Sequence, residues 1–388
     1  MGGIASILTF LPEYNSILDI LAGIWYISCM KLTAQVKLCP TPQQAAALKK
    51  TLERANVACN HISAWAWENK TFGQYRIHKG VYHEAKTLFG LTAQVVVRCI
   101  AKVADAYKLD RKKKRTFRPY GSISYDDRIL RWYVDKAKVS IWADGDREHI
   151  PFVCGDRQRK LLTSRQGESD LVFFGGNFFL LATCNAVDPP PSDVKDFLGV
   201  DLGIANIATD STGESFSGGT VKGLRYRHAR LRGKLQAKGT KSAKRLLKKR
   251  RRKERRFARN VNHCISKSLV AKAKCTGKGI ALEDLKGIRT RIKARRPQRR
   301  ILNSWAFLQL RLFIEYKAKL AGVPVVPVDP RNTSRTCPMC GCVDKANRPT
   351  QSLFSCVSCA FSGHADHIAA VNIRGRASVT RPHVDAAA

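Results

Sequence analysis

Leu198-Gly-Val-Asp201-Leu-Gly-Ile204 sets a single carboxylate in an apolar run, and the reading of that run decides the fold. From Phe197 to Ala208 the chain is apolar in both phases, the pattern of a strand buried on both faces. A carboxylate buried there is costly unless a metal, a base or a cap satisfies it. Two more acids occupy comparable places. Glu283 closes the short apolar strand in Ile280-Ala-Leu-Glu283-Asp-Leu, and Asp366 opens a helix expected over Asp366 to Arg374. Singly, each signal is weak: an Asp two residues before a glycine is about as often a turn, and an acid in a first helical turn is often a cap. Asp284 and His364 are near neighbours that could compete for the same roles.

Directly before Asp366 lies a cysteine cluster: Cys337-Pro-Met-Cys340, fifteen residues, then Cys356-Val-Ser-Cys359. This is the spacing of a zinc ribbon, in which two knuckles complete a tetrahedron at ~2.3 Å per Zn–S bond. Four thiolates fill the coordination shell and leave no position for water, so a structural Zn2+ is expected. Cys342, just past the first knuckle, reads as a partly buried free thiol. The remaining cysteines are scattered, which fits a reducing cytoplasm better than a secreted disulfide framework.

The chain has 388 residues, 44% of them hydrophobic, enough for two or three domains. Its 69 Lys and Arg face 30 acids, a formal charge of +39. Self-repulsion on that scale implies a polyanionic partner, and nucleic acid is the usual one. From Met30 onward no apolar span or amphipathic anchor is evident, so no membrane partner is expected. The charge is densest from Lys222 to Arg259, with 19 basic residues and one acid. Solvated helices interleave signs to gain i,i+4 pairs; a single-sign run forgoes them, which points to phosphate contact. The candidates there are Arg225, Arg227 and Arg230, then Lys248, Lys249, Arg250, Arg251 and Arg252, then Arg255 and Arg256. A second cluster, Arg289, Arg291, Arg295 and Arg296, follows Glu283. A third, Lys112, Lys113 and Arg115, lies in the first half. Such contacts position a ligand without reading its sequence.

The first half is organised differently. Residues 1–29 are apolar but carry Glu13 and Asp19, which makes them a poor signal peptide and a poor membrane span. They are expected to be an extension from an upstream start, with Met30 the biological one. Lys31 to Leu38 reads as a strand. Thr41-Pro42-Gln43-Gln44 starts a helix with Thr as cap, Pro at the first position and Gln at the third. Its apolar face is Leu48, Leu52, Ala55, Cys59, Ile62 and Ala66. A second helix is expected from about Thr92 to Leu109. Strands over Lys138 to Trp142 and His149 to Val153 flank an Asp144-Gly145-Asp146 turn, and two more surround Gly175-Gly176. Residues 30–190 therefore read as a β-barrel with a helical insert at about 41–110. Pro189-Pro190-Pro191 reads as the linker to a second domain over 195–388, with the ribbon at about 330–362. Tyr120, Tyr125, Trp132, Tyr133 and Trp142 read as barrel core before base-stacking platforms. Trp65 and Trp67 are not expected to face one core together at that spacing. In the second domain Trp305, Leu308, Leu312, Tyr316 and Leu320 form a helical face closed by Gly322, followed by a strand over Val323 to Val328.

Taken jointly, one acid in a strand, one at a neighbouring strand end and one on a closing helix fit an α/β RNase H-like (RuvC) nuclease domain. Such a triad holds two Mg2+ or Mn2+ ions ~4 Å apart across a phosphodiester. The motifs also resemble a family. Leu198-Gly-Val-Asp201-Leu-Gly and Ala281-Leu-Glu283-Asp-Leu resemble the first two RuvC motifs of the TnpB proteins of insertion sequences, relatives of type V CRISPR effectors. Asp329-Pro-Arg-Asn-Thr-Ser-Arg-Thr-Cys337-Pro-Met-Cys340-Gly resembles the lead-in to their zinc ribbon. Gly363-His-Ala-Asp366-His-Ile-Ala-Ala-Val-Asn-Ile resembles their third motif. The likeness covers roughly residues 30–375.

The resemblance implies a guide RNA transcribed from the transposon end, a double-stranded DNA target beside a short adjacent motif, cleavage by Asp201, Glu283 and Asp366, and a monomer with its RNA. The Arg289 to Arg300 cluster would then follow the substrate strand or heteroduplex, and Lys112 to Arg118 the RNA. The chain departs from the pattern at Ile368, where Asn is common, and at Ala360, where Gly is common; neither removes a ligand or an acid. A DNA transposase, a type V CRISPR effector and a catalytically weak RNA-guided DNA binder remain alternatives. A purely RNA-binding, ribosome-like protein would leave Asp201 and Asp366 unexplained.

Overall fold

A computed structural model describes residues 29–284 and 307–379, apart from the side chains of Cys29, Arg251 and Arg252. The expected N-terminal extension, Trp305 and the Arg289 to Arg300 cluster lie outside the described residues. The chain divides into two compact units, one running to Val187 and one starting at Asp188.

The first unit opens with β1 (Cys29–Leu38) and three helices, α1 (Pro42–Glu68), α2 (Gln74–Phe89) and α3 (Ala93–Leu109). The capping box at Thr41 forms: Thr41 Oγ1 accepts from the Gln44 N–H at 3.3 Å, and Gln44 Oε1 accepts from the Thr41 N–H at 3.1 Å. The anticipated face of α1, from Leu48 to Ala66, is fully buried. Helix α2 has no counterpart in the sequence reading. It buries only Ile77, Val81 and Ala85 and carries a glycine, Gly80, at its middle, so its apolar stripe is too thin to announce a helix. Gly80 is needed because a Cβ there would lie 2.1 Å from the Trp65 ring. Trp65 and Trp67 both pack on the core, contrary to expectation. They do so on different neighbours: Trp65 against α2, Trp67 stacked on Tyr107 of α3.

Strands β2 (Ile123–Tyr125), β3 (Leu130–Tyr133), β4 (Lys138–Ala143) and β5 (Asp146–Val153) follow. After the short helix α4 (Asp156–Leu162) come β6 (Arg165–Phe174) and β7 (Asn177–Val187). With β1 they form one antiparallel sheet in the order β2-β6-β7-β1-β5-β4-β3. The sheet curls into a nearly closed barrel: the Tyr125 hydroxyl of β2 donates to the Trp142 carbonyl of β4 at 3.2 Å. Asp144 and Gly145 turn the β4–β5 hairpin with φ of +49° and +107°, the positive pair that a two-residue turn of this hand requires. Tyr125 and Trp142 are core, and Trp132 packs edge-on against Phe152; Tyr120 and Tyr133 keep 37% and 40% of their surface exposed.

The second unit is a five-stranded sheet in the order β10-β9-β8-β11-β12. Its strands are β8 (Phe197–Asp201), β9 (Asn206–Asp210), β10 (Ser215–Ser217), β11 (Gly279–Glu283) and β12 (Val325–Val328). β8, β11 and β12 run parallel, while β8, β9 and β10 form an antiparallel meander. The single strand expected from Phe197 to Ala208 is thus two strands, and Asp201 ends the first instead of sitting within it. An apolar run does not reveal a reversal when both arms of the hairpin are buried. Long helices α5 (Gly219–Lys238) and α6 (Lys241–Cys275) pack on each other, and α6 packs on α7 (Phe307–Ala321). α7 buries Leu310, Ile314 and Ala318, whereas Leu308 is 61% exposed, so the predicted face is rotated. α7 is apolar on more than one side, and only its partners select the buried face.

The closing helix α8 (Ala365–Val379) lies directly on β8. A Cβ on Gly199 would stand 2.0 Å from the Ala370 carbonyl oxygen and 2.6 Å from the Arg374 nitrogen. Arg374 in turn donates to both oxygens of Asp196, at 2.8 and 2.7 Å. Burial alone would raise the Asp196 pKa, but hydrogen bonds from Arg374 and Lys278 hold it at about 2. Because both atoms facing Gly199 are backbone, Gly199→Ala is expected at the upper end of the ~1–3 kcal/mol typical of overpacking. Urea unfolding followed by circular dichroism checks this, and an unchanged midpoint would mean that α8 yields freely.

Candidate functional site

Parallel pairing of β8 with β11 matches Val200 to Leu282, so Asp201 and Glu283 emerge side by side at the same end of the sheet. Helix α8, pinned over Gly199, brings Asp366 of its first turn to that end. Asp366 Oδ2 accepts from Asn206 Nδ2 at 3.0 Å, and its Oδ1 from Arg348 Nη2 at 3.2 Å. Glu283 Oε1 accepts from the Thr333 hydroxyl at 2.5 Å. Glu283 and Asp366 keep only 8% and 9% of their surface exposed.

The charges of Glu283 and Asp366 are both felt at Asp201. Burial, then the charges of Glu283 and Asp366, push the Asp201 carboxyl up to about 7, against a pull downward from Arg348. Burial also raises Glu283, offset in part by the Thr333 hydroxyl and Arg376. Carboxylates desolvated beside one another favour a bound cation. Their oxygen donors suit Mg2+ or Mn2+ by hardness. The oxygens are not tightly drawn together, however. Among the described residues, the four cysteine sulfurs are the only group of three or more His, Cys, Asp or Glu donors lying mutually within 4.8 Å. Arg348 supplies the positive charge against Asp366 instead.

The sulfurs of Cys337, Cys340, Cys356 and Cys359 form a compact cage. Cys337 and Cys359 are 3.6 Å apart and Cys340 and Cys356 3.5 Å, close to the about 3.8 Å edge of a tetrahedron built on Zn–S bonds. The strands β13 (Leu353–Ser355) and β14 (Ser362–His364) carry the second knuckle. The Cys359 backbone N–H is the largest influence lowering the Cys356 thiol, to about 6, which favours the thiolate a metal needs. Gly341 and Ala360 close the two knuckles with φ of +73° and +58°. Cys342 is half-buried, and its carbonyl accepts from the Cys337 N–H at 2.9 Å.

The basic candidates divide by role. Lys112, Lys113, Arg227, Arg230, Lys248, Lys249, Arg255 and Arg256 are exposed. Arg115 is engaged locally, donating to the Asp110 carbonyl at 3.0 and 2.8 Å beyond the end of α3. Arg225 and Arg250 are half-buried, Arg225 facing Glu254 at 4.0 Å. No described helix is long and apolar enough to cross a membrane. The sequence reading did not single out Asn206, Thr333 or Arg348. Thr333 lies inside the quoted ribbon lead-in, so a motif signal existed without a role. Asn206 and Arg348 reach Asp366 across 160 and 18 residues, which no local pattern reveals.

Two outcomes are expected. The folded Asp201 pKa lies above the unfolded carboxylate value, so the native state holds the proton longer, and metal-free stability falls as pH rises from about 4 toward 7. Asp201→Asn should therefore raise the melting temperature of the metal-free protein at pH 8 and leave it nearly unchanged near pH 4, as calorimetry would reveal. Ala360→Gly should relieve left-handed strain of about 1 kcal/mol and slow zinc loss to a chelator; equal loss rates would contradict it.

A family profile described as probable transposase matches residues 181–287, and one described as Cas12f1-like, TNB domain, matches 307–373. A TnpB-like protein of Methanocaldococcus jannaschii is 39% identical over 131 residues, 34% of this chain and 46% of that one. The CRISPR-associated endodeoxyribonuclease Cas12f1 of Sulfoacidibacillus thermotolerans is 33% identical over 198 residues, 47% of this chain and 46% of that one. The chain spans about half the length of the curated relatives it matches. Its fold is like that of Cas12f1 solved with guide RNA and target DNA, at a TM-score of 0.58 and 14% identity over 86% of this chain and 83% of that one. It is also like the mini-RNA-guided endonuclease CRISPR-Cas phi3, at 0.56 and 10% identity over 92% and 93%. With the ordered acid motifs and the four-cysteine ribbon, these partial matches support a TnpB-family protein related to the type V CRISPR effectors.

Proposed function

We propose that the chain is an RNA-guided DNA endonuclease of an insertion sequence, cutting target DNA beside a short adjacent motif at an RNase H-like (RuvC) site. The observation that carries this is the gathering of Asp201, Glu283 and Asp366 at the carboxyl end of parallel β8 and β11 under α8. The order β10-β9-β8-β11-β12, an antiparallel meander followed by two parallel strands, supports the RNase H-like reading. Nuclease relatives and a neighbour whose structure holds guide RNA and target DNA support the RNA and DNA partners.

Bound between these carboxylates, two divalent ions would supply an activated water and stabilise the leaving 3′ oxygen. The chain's own part is positional. Rigid strand ends fix Asp201 and Glu283, and α8 fixes Asp366 against them. Arg348, already beside Asp366, would have to release that carboxylate or shift toward a substrate phosphate as the ions enter. The zinc ribbon is structural, four sulfurs leaving no open coordination position. The exposed Arg and Lys of α5 and α6 hold phosphates without reading bases. A strand-transferring DNA transposase is the second reading, favoured by the description of the matched profile.

The test is plasmid cleavage by protein purified with its co-expressed RNA, in Mg2+, against a library of sequences beside a matched target. Double-strand cutting that requires the RNA, the match and Asp201, with Asp201→Ala inert, is the expected result. Joined strands in place of free ends would favour transposition. RNA-dependent binding without cutting would point to a non-catalytic binder.

A further inference from the structure

Thr333 belongs neither to the acid triad nor to the zinc cage. It lies on the turn between β12 and the first knuckle and is 3% exposed. Its hydroxyl donates to Glu283 Oε1 at 2.5 Å, with the Pro330 carbonyl a longer alternative at 3.1 Å. The turn is built to hold it there. Asn332 adopts a left-handed φ of +57°, and its carbonyl accepts from the N–H groups of Arg335 and Thr336 at 2.9 and 3.0 Å.

Helix α8 grips the same turn. Asn372 Nδ2 donates to the carbonyls of Thr333 and Thr336, at 2.7 and 2.8 Å. One helical turn further on, Arg376 Nη1 donates to the carbonyls of Asp329 and Arg331, at 2.9 and 2.6 Å. The helix that presents Asp366 therefore also holds the backbone of the turn whose Thr333 hydroxyl reaches Glu283. Thr336 is bridged to Val343 across the first knuckle, so the zinc ribbon is anchored to this turn.

We infer that Thr333 is a positioning residue of the acid site: its hydroxyl, carried on a backbone that Asn372 holds, fixes the rotamer of Glu283 and so the geometry offered to a divalent cation. This rests on the metal-site reading above. The hydroxyl spends its one donor on a Glu283 oxygen and so limits how that carboxylate can turn. Outer partners of this kind commonly change metal affinity ~10–100-fold when removed.

The experiment measures Mn2+ binding to the full-length, zinc-loaded protein by calorimetry, beside cleavage kinetics of the RNA-loaded protein. Thr333→Val keeps the shape and deletes the hydroxyl. It is expected to weaken Mn2+ binding at least ~10-fold and to lower kcat, with KM for DNA and zinc content unchanged. Thr333→Ser restores the hydroxyl and should return both quantities to near wild type. Thr333→Ala carries the same expectation as Thr333→Val and replaces it should the valine variant not fold. Unchanged Mn2+ affinity in the folded hydroxyl-free variant, or equal impairment of the serine variant, overturns the inference. Asp201→Asn and Glu283→Gln separate the two readings: if they too leave Mn2+ binding unchanged, the metal site itself is wrong.

Discussion

The contact between Gly199 and α8 is the constraint on which the acid site depends. With no Cβ at this position, the Ala370 carbonyl and the Arg374 nitrogen can sit directly on the strand. Gly199 precedes Asp201 by two residues, and Ala370 follows Asp366 by four. The close approach therefore sets the height of one acid against the other. Arg374, paired with Asp196 at the start of β8, prevents the helix from sliding along the strand.

Around that contact the molecule gathers like charges that repel. Burial first, and then the charges of Glu283 and Asp366, raise the Asp201 carboxyl to about 7, a state that a cation would relieve. In the protein alone, that relief is partial: Arg348 and Asn206 reach Asp366, and Thr333 reaches Glu283. Arg348 and Thr333 both come from the segment that includes the four-cysteine cluster. That segment thus contributes groups to the acid site as well as the four sulfurs. The opposite charge problem appears on α5 and α6, where Glu254 faces Arg225, His228 and Arg232 and offsets only a little of the excess. The exposed cations of these helices, Arg227, Arg230, Lys248, Lys249, Arg255 and Arg256 among them, suit a polyphosphate.

The expectations that succeeded rest on signals local in sequence. The capping box at Thr41, the face of α1, the Asp144-Gly145 turn and the knuckle spacing each need only neighbours within a few residues. The expectations that failed needed a partner. A thin stripe around Gly80 forms a helix because Trp65 covers it. α7 buries Leu310 and Ile314 in preference to Leu308 because α6 lies on that side. The run from Phe197 to Ala208 folds back because β9 finds β8 as its partner, and nothing in an apolar count distinguishes that from one long strand.

By itself the sequence determined the chemistry available: three acids in ordered motifs, four cysteines at ribbon spacing and a large excess of basic charge. Residue type and short spacing fix what a side chain can bind, and both are written in the chain. The tertiary structure alone decided which groups meet those acids. Asn206 reaches Asp366 across 160 residues and Thr333 reaches Glu283 across 50, carried by strand pairing and by a helix laid on a glycine, while Arg348 comes from the segment before α8. Such meetings depend on long-range packing, for which a linear pattern holds no coordinate.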